Sequence, residues 1–209
     1  MGISLSIRAG IGVSSFNSLN LALSGSLGLT IGTITTALNA LFLIVYMALD
    51  RFRNPARYAL QAAASFFIGR VIDFFVYGAF ARLAPDSYAL RIALFVLGTL
   101  ISGSSTGVIL HLKSLSFPIE SACAELAYRT GRSFKRYRYA LDGVFVLSSL
   151  ALSLALGLPF YVREGTVISM CLLTAVIGTS KRLCERWGAA RAENRFVPNP
   201  AARGSEDLS

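Results

Sequence analysis

The chain has 209 residues, of which 54% are hydrophobic and only 15% are charged, and its formal net charge is +9. Soluble domains carry about 25% charged residues, disordered chains are far less hydrophobic, and small disulfide scaffolds need many more cysteines than the three present here. The composition therefore indicates an integral membrane protein. At about 20 residues per span, the chain has room for about six transmembrane helices.

The predicted elements begin with an apolar segment over 2–23, which contains Arg8, Asn17 and Asn20. Five longer apolar segments follow, and each is long enough to cross a bilayer: 28–49, 58–81, 89–112, 139–161 and 165–184. We predict an all-α membrane domain over 1–186 and a polar, disordered tail over 187–209, because the tail is rich in Pro, Gly and charged residues.

Lysine and arginine are distributed unevenly between the connections. Three lie in 50–57, six in 113–138 and six in the stretch from Lys181 to the C-terminus, whereas the remaining connections hold only Arg82, Arg91 and Arg163. By the positive-inside rule, the basic connections and both termini are cytoplasmic in a bacterial plasma membrane. The net positive charge therefore reflects topology, and it does not indicate nucleic-acid binding.

One basic cluster in 113–138 is dense enough to attract the head groups of anionic lipids. Its members are Arg129, Arg132, Lys135, Arg136 and Arg138.

Two halves of the chain resemble each other at an offset of 103 residues. This shift pairs Arg8 with His111, Asn17 with Glu120, and Asn39 with Asp142. Because polar side chains are costly within membrane segments, their coincidence at one offset favours a repeat. We predict two copies, over 1–81 and 88–184. Three spans per copy would invert the second copy relative to the first, as in many secondary transporters.

The repeat also predicts where the first span begins. Its counterpart in the second copy starts near residue 88, so we expect the natural chain to begin about 15 residues upstream of Met1.

Two short segments, 14–24 and 117–129, occupy matching positions in the copies and are too short to span a bilayer. Each begins beside a helix-capping type of residue, Ser14 or Ser116. One interpretation is a re-entrant half-helix, whose N-terminal N–H groups and positive dipole end face an anion. The alternative is an amphipathic helix that lies flat at the membrane surface.

Two stretches, 7–19 and 27–33, resemble the opening of the YczE/YitT-type bacterial integral membrane proteins. The matching positions are Gly12, Ser14, Phe16, Gly28, Gly32 and Thr33. Ser15 stands where that family has proline and Asn17 where it has an acid, but Pro118 and Glu120 supply both features in the second copy. The resemblance implies a six-helix plasma-membrane protein and no established substrate.

Within the spans, we predict a group of intramembrane polar or ion-coupling residues, consisting of Arg70, Asp73, Asn39 and Asp142. Arg70 and Asp73 are three residues apart on one helical face, so one interpretation is an ion pair between them; the alternative is that Asp73 lies near the outer surface and is hydrated. The three cysteines are scattered and are predicted to be small apolar core residues. The run of Ser and Gly over 102–107 predicts close helix packing, with an unwound stretch as the alternative.

We predict a small secondary carrier of an unidentified molecule, with its site at the interface of the two copies. The expected substrate-binding residues are Arg8, Asn17, Asn20, His111 and Glu120, and Asp73, Glu120 and Asp142 are candidate coupling groups. The alternative is a non-transporting accessory factor that contacts a partner protein through 129–138 and the tail. No catalytic, metal or nucleotide motif occurs in the sequence, so we expect neither enzymatic activity nor a cofactor.

Overall fold

A computed structural model describes residues 1–83, 85–112 and 117–195. Within these ranges the chain is helical and contains no strand. The helices are α1 (Gly2–Ala9), α2 (Ser15–Leu27), α3 (Ile31–Asp50), α4 (Pro55–Asp73), α5 (Tyr88–Leu112), α6 (Pro118–Thr130), α7 (Phe134–Leu156) and α8 (Glu164–Arg195). A π-helical segment, Phe74–Ala79, continues α4 without a break.

Four of the described helices are long and apolar enough to cross a membrane. They are α3, α4 with its π-helical continuation, α5 over Tyr88–Ile109, and α7, and they coincide with four of the five long predicted spans. Large apolar side chains on these helices point away from the protein core, and Phe67, Leu147 and Leu154 are each 67–69% exposed. Such extensive apolar surface is unfavourable in water, which supports a membrane protein.

Helix α8 covers the predicted span 165–184 but is not among these four helices. It continues beyond Trp187, where the sequence predicted a disordered tail, and ends at Arg195. Residues 196–209 of that tail lie outside the described residues.

The two short helices α2 and α6 have sharply defined ends. They are followed by Gly28 and Gly131, both at φ 66°, a left-handed conformation that favours glycine. Pro118 begins α6, at a position where its missing N–H has no helical partner to lose. Phe117, rather than the expected Ser116, is the residue that precedes this helix, and Ser116 lies outside the described residues.

Helix α2 packs along the second half of α7. The Ser15 hydroxyl meets Asp142, the Ser149 hydroxyl donates to the Ser18 carbonyl, and Gly25 lies against Leu158 just beyond the end of α7. The two helices therefore run in the same direction, and α2 begins beside the middle of α7.

One apolar cluster joins α2, α6 and α7. Its buried members are Leu19, Ile119, Cys123 and Phe145. The ring centroid of Phe145 lies 5.5 Å from that of Phe16. It lies 5.7 Å from that of Phe42, against which the Phe145 ring packs edge-on. The prediction that cysteine serves as a core residue is confirmed for Cys123, and this cluster holds the first turns of α2 and α6 on α7.

Small residues allow the other helices to approach closely. A Cβ at Gly103 would come within 2.7 Å of Val176, and one at Gly107 within 2.6 Å of Ser180, so α5 packs tightly on α8. Helix α5 is continuous through this region. The sequence prediction of packing, as opposed to unwinding, is therefore confirmed for 102–107.

Candidate functional site

Four polar side chains from three helices meet beside the apolar cluster, and we call them the polar centre. Ser15 donates a hydrogen bond to Asp142, with 2.6 Å between Oγ and Oδ1. Arg138 lies between the two acids, with its Nε 3.4 Å from Asp142 Oδ2 and its Nη1 3.8 Å from Glu120 Oε1. A hydroxyl, a guanidinium and two carboxylates thus form one connected network.

The helices determine this arrangement. Ser15 is the first residue of α2, and Glu120 lies in the first turn of α6. Arg138 and Asp142 are four residues apart on α7, which places them on the same face. The N-terminal end of a helix carries a partial positive charge, so the starts of α2 and α6 both favour the negative charge of the acids.

The part of the polar centre formed by Ser15 and Asp142 is shielded from water. Asp142 is 8% exposed and Ser15 is 4% exposed. About a third of the Glu120 side chain is exposed, yet its Oε2 atom is buried and has no hydrogen-bond partner within the described structure. Burial raises the pKa of Glu120, the positive charge of Arg138 opposes this rise, and the nearby Asp142 carboxylate adds to it. Glu120 is therefore the group in this network best placed to bind a proton.

The predicted substrate-binding residues do not form one site. Glu120 belongs to the polar centre, whereas Arg8 donates through Nε to the carbonyl of Val76 at 3.1 Å, in the π-helical segment. Asn20 is fully buried and donates to Thr35 Oγ1 at 3.1 Å. Asn17 is half-buried on α2. The side chain of His111 lies outside the described part of the structure.

Arg8 lies in a separate cleft of about 460 Å³, formed by α1, the π-helical segment and the start of α5. A second arginine, Arg91, also lines this cleft. The sequence prediction missed Arg91, which stood out only as a basic residue in a connection otherwise poor in positive charge.

The predicted ion pair between Arg70 and Asp73 is wrong. Asp73 accepts hydrogen bonds from the Gly32 N–H and the Thr30 hydroxyl, both at 2.7 Å, and thereby caps the start of α3. Arg70 instead lies over the ring of Phe66 at 5.1 Å. The unpaired N–H groups at a helix start are strong donors, and here they hold the carboxylate. Of the other two intramembrane polar residues, Asp142 is in the polar centre, and Asn39 is buried on α3.

The basic cluster is also divided by the fold. Arg138 turns inward to the two acids, and Arg129 pairs with Glu125 at 3.0 Å. The remaining three members are exposed: Arg132, Lys135 and Arg136. Sequence reasoning treated Arg138 as one of a surface run and Ser15 only as a substitution for proline. The spacing of four between Arg138 and Asp142 was the one signal of an inward role.

A model of the family of unknown function DUF6198 matches residues 1–182, which is most of the chain. The chain belongs to DUF6198. This DUF6198 chain is 26% identical over 172 residues to the uncharacterized protein YyaS of Bacillus subtilis (strain 168), covering 82% of the chain and 81% of that protein. No solved structure matches it. The more specific resemblance to the YczE/YitT-type proteins stays a prediction, and family membership names no substrate.

Proposed function

We propose that this protein is a small secondary carrier of the bacterial plasma membrane, with the polar centre as its substrate and proton-coupling site. The carrier is built from two inverted copies, and α1 and α8 contribute to its six spans. Both termini face the cytoplasm. The substrate is a small molecule that remains to be identified.

The helix boundaries support the two copies. Ser15–Leu27 and Pro118–Thr130 both have 13 residues and begin 103 residues apart, as do the starts of α3 and α7. The glycines that end the short helices share a φ of 66°. A common offset at several independent boundaries is expected if the halves have the same local fold.

Two of the helix contacts, those made by the short helices, support a two-fold relation between the copies, whereas the packing of α4 on α3 and of α8 on α5 does not follow it. Helix α2 of the first copy packs on α7 of the second, and α3 of the first packs on α6 of the second. Exchanging the copies converts one of these pairs into the other. Reciprocal pairs of this kind are typical of repeats related by a two-fold axis.

The position of α2 favours a re-entrant half-helix over an interfacial one. Its first residue meets Asp142, about 12 Å along α7 from Phe134 at 1.5 Å per residue, and Gly25 lies beyond the far end of α7. A helix with this placement starts near mid-membrane and rises to one surface. Free N–H groups at that depth are tolerated where they line a polar cavity.

The chemistry of the polar centre suits proton coupling. With both acids ionised, the network carries one excess negative charge. A proton on Glu120 removes that charge and so lowers the cost of burying the Oε2 atom, which has no hydrogen-bond partner in the described structure. Protonation would weaken the attraction of Glu120 for Arg138 within the second copy, and would thereby change the charge balance around Asp142, which binds Ser15 of the first copy. One observation carries the proposal: the starts of α2 and α6 join the same network. Ser15 reaches Arg138 through Asp142, and Glu120 pairs with Arg138 directly.

The test uses purified protein in liposomes that enclose a pH-sensitive dye. A metabolite library is added outside, and compounds that move protons across the membrane are identified by the dye. Wild type and Glu125→Gln should respond equally, because Glu125 makes only a surface pair on the same helix. Glu120→Gln should abolish the proton signal. If Glu120→Gln transports protons with the substrate as wild type does, the polar centre is not the coupling site.

A second function is favoured by the exposed basic surface at the start of α7. Arg132, Lys135 and Arg136 are exposed, and Tyr128 nearby is 84% exposed. These side chains are suited to anionic lipid head groups or to a partner protein of an accessory factor. Neutralising the three basic residues should then abolish function, whereas Glu120→Gln should leave it intact.

A further inference from the structure

We infer that the cleft containing Arg8 and Arg91 is a binding site for a small anion with a carboxylate or phosphate group. The inference does not depend on transport, because a site of this kind could serve a substrate, a regulator or a lipid head group. It concerns a different place from the polar centre, and the two share no residue.

The charge of the cleft is of one sign. Its volume is about 460 Å³, within the range of small-molecule sites. Arg8 and Arg91 are the charged residues among the ten that line the cleft, and none of the ten is acidic. The carboxylate of Asp73, which precedes the π-helical segment, accepts hydrogen bonds from Thr30 and Gly32 at the start of α3. Both arginines are half-buried, so an anion in the cleft would offset their positive charge.

Arg8 is held in place by a carbonyl that the π-helical segment releases. In a continued π pattern the Val76 carbonyl would accept from Ala81, but the Ala81 N–H donates to Gly78. Arg8 donates hydrogen bonds to the Val76 carbonyl through Nε and Nη2. Since a guanidinium has five N–H donors, three remain for a ligand.

Arg91 is oriented in a similar way. Its Nε donates to the Pro85 carbonyl at 2.9 Å, and this leaves its two terminal nitrogens as a fork. Such a fork binds a carboxylate or phosphate through two parallel hydrogen bonds. The apolar walls around Leu83 and Ile31 suit a short hydrocarbon portion of the same molecule. Two oriented guanidinium groups and the apolar lining residues therefore define the ligand class: a small carboxylate or phosphate with a short hydrocarbon portion.

The test measures thermal unfolding of the full chain in nanodiscs of zwitterionic phosphatidylcholine. The probes are inorganic phosphate and butyrate, each compared with chloride at equal ionic strength. Either probe should raise the Tm of wild type and of Arg82→Gln, because Arg82 is exposed and does not line the cleft. Arg91→Gln and Arg8→Gln should weaken the apparent affinity by roughly tenfold or more, the usual effect of losing a charge-assisted hydrogen bond.

A second arm distinguishes a free anion from a lipid head group. If a lipid occupies the cleft, nanodiscs with anionic phosphatidylglycerol should raise the Tm of wild type and Arg82→Gln but not of Arg91→Gln. Arg91 makes its bond to a surface loop, so its variant keeps the test valid if Arg8→Gln fails to fold. Absence of any shift in wild type from the probes and from the anionic lipid would overturn the inference. Equal shifts in Arg91→Gln and Arg82→Gln would also overturn it.

Discussion

Removing the contact between Ser15 and Asp142 should destabilise the protein through a measurable coupling between α2 and α7. Both residues are more than nine-tenths buried, and Ser15 Oγ lies 2.6 Å from Asp142 Oδ1. A hydrogen bond to a charged group contributes about 1.5–3 kcal/mol. Ser15→Ala should therefore lower the free energy of unfolding by about 1.5 kcal/mol.

Asp142→Ala should cost more, because it also takes a carboxylate from Arg138. Losing one member of a buried charge pair costs about 3–5 kcal/mol, and Arg138 keeps Glu120 as a partner and is 30% exposed. The expected cost is therefore at the lower end, about 3 kcal/mol. The double variant should then be about 1.5 kcal/mol more stable than the sum of the two single effects predicts, since the contact is lost only once.

The assay is reversible chemical unfolding in detergent micelles, followed for the four proteins of a double-mutant cycle. The matched control is a second cycle in which Ser26 takes the role of Ser15. The Ser26 hydroxyl donates to the Leu23 carbonyl within its own helix. Ser26→Ala and Asp142→Ala should be additive within about 0.5 kcal/mol. A coupling below about 0.5 kcal/mol for Ser15 and Asp142 would refute the view that this bond holds α2 on α7.

Three further predictions concern stability. Because burial raises the pKa of Glu120 above its ordinary value of 4.5, the folded state binds the proton more tightly than the unfolded state. This contribution is complete below pH 4.5 and is lost as the pH rises through the higher folded pKa, so melting curves between pH 4 and 8 should show a decline in wild type that Glu120→Gln lacks. Gly165→Ala places a Cβ 2.7 Å from the Ile11 carbonyl oxygen, in the loop before α2, and should lower the free energy of unfolding by about 1–3 kcal/mol. Gly178→Ala has open space around it and should be neutral in the same unfolding assay. Asp73→Ala removes the acceptor of the Gly32 N–H at the start of α3, where Thr30 remains as the N-cap, and should cost about 1–2 kcal/mol. Arg70→Gln should change stability by less than about 0.5 kcal/mol, and equal losses in the two variants would support the ion pair that the sequence suggested.

Local signals explain why the helix positions could be predicted. The apolar segments 28–49 and 58–81 match α3 and α4 because a span is encoded in consecutive residues. The short segments 14–24 and 117–129 differ from α2 and α6 by at most three residues at any end, since glycine and proline mark their limits. These features need no knowledge of the rest of the chain.

The polar centre could be predicted only in part, because its contacts join distant positions. Glu120 and Asp142 were selected as costly polar residues, but nothing local links Ser15 to a residue 127 positions later. Arg138 sits in a basic run whose other members face outward, so composition concealed its inward direction. For Arg70 and Asp73, the spacing allowed a pair, but the start of α3 competed for the carboxylate.

The proposed inverted arrangement of two copies is tested most directly by the sidedness of the residues that follow the short helices α2 and α6. Single cysteines are placed at Leu29 and Arg132, in a background where the three native cysteines are replaced by alanine, and are labelled with an impermeant thiol reagent in intact cells and in inverted vesicles. Inverted copies predict labelling of position 29 from the periplasmic side and of position 132 from the cytoplasmic side. Labelling of both positions from the same side would contradict the inverted repeat and, with it, the proposed carrier architecture.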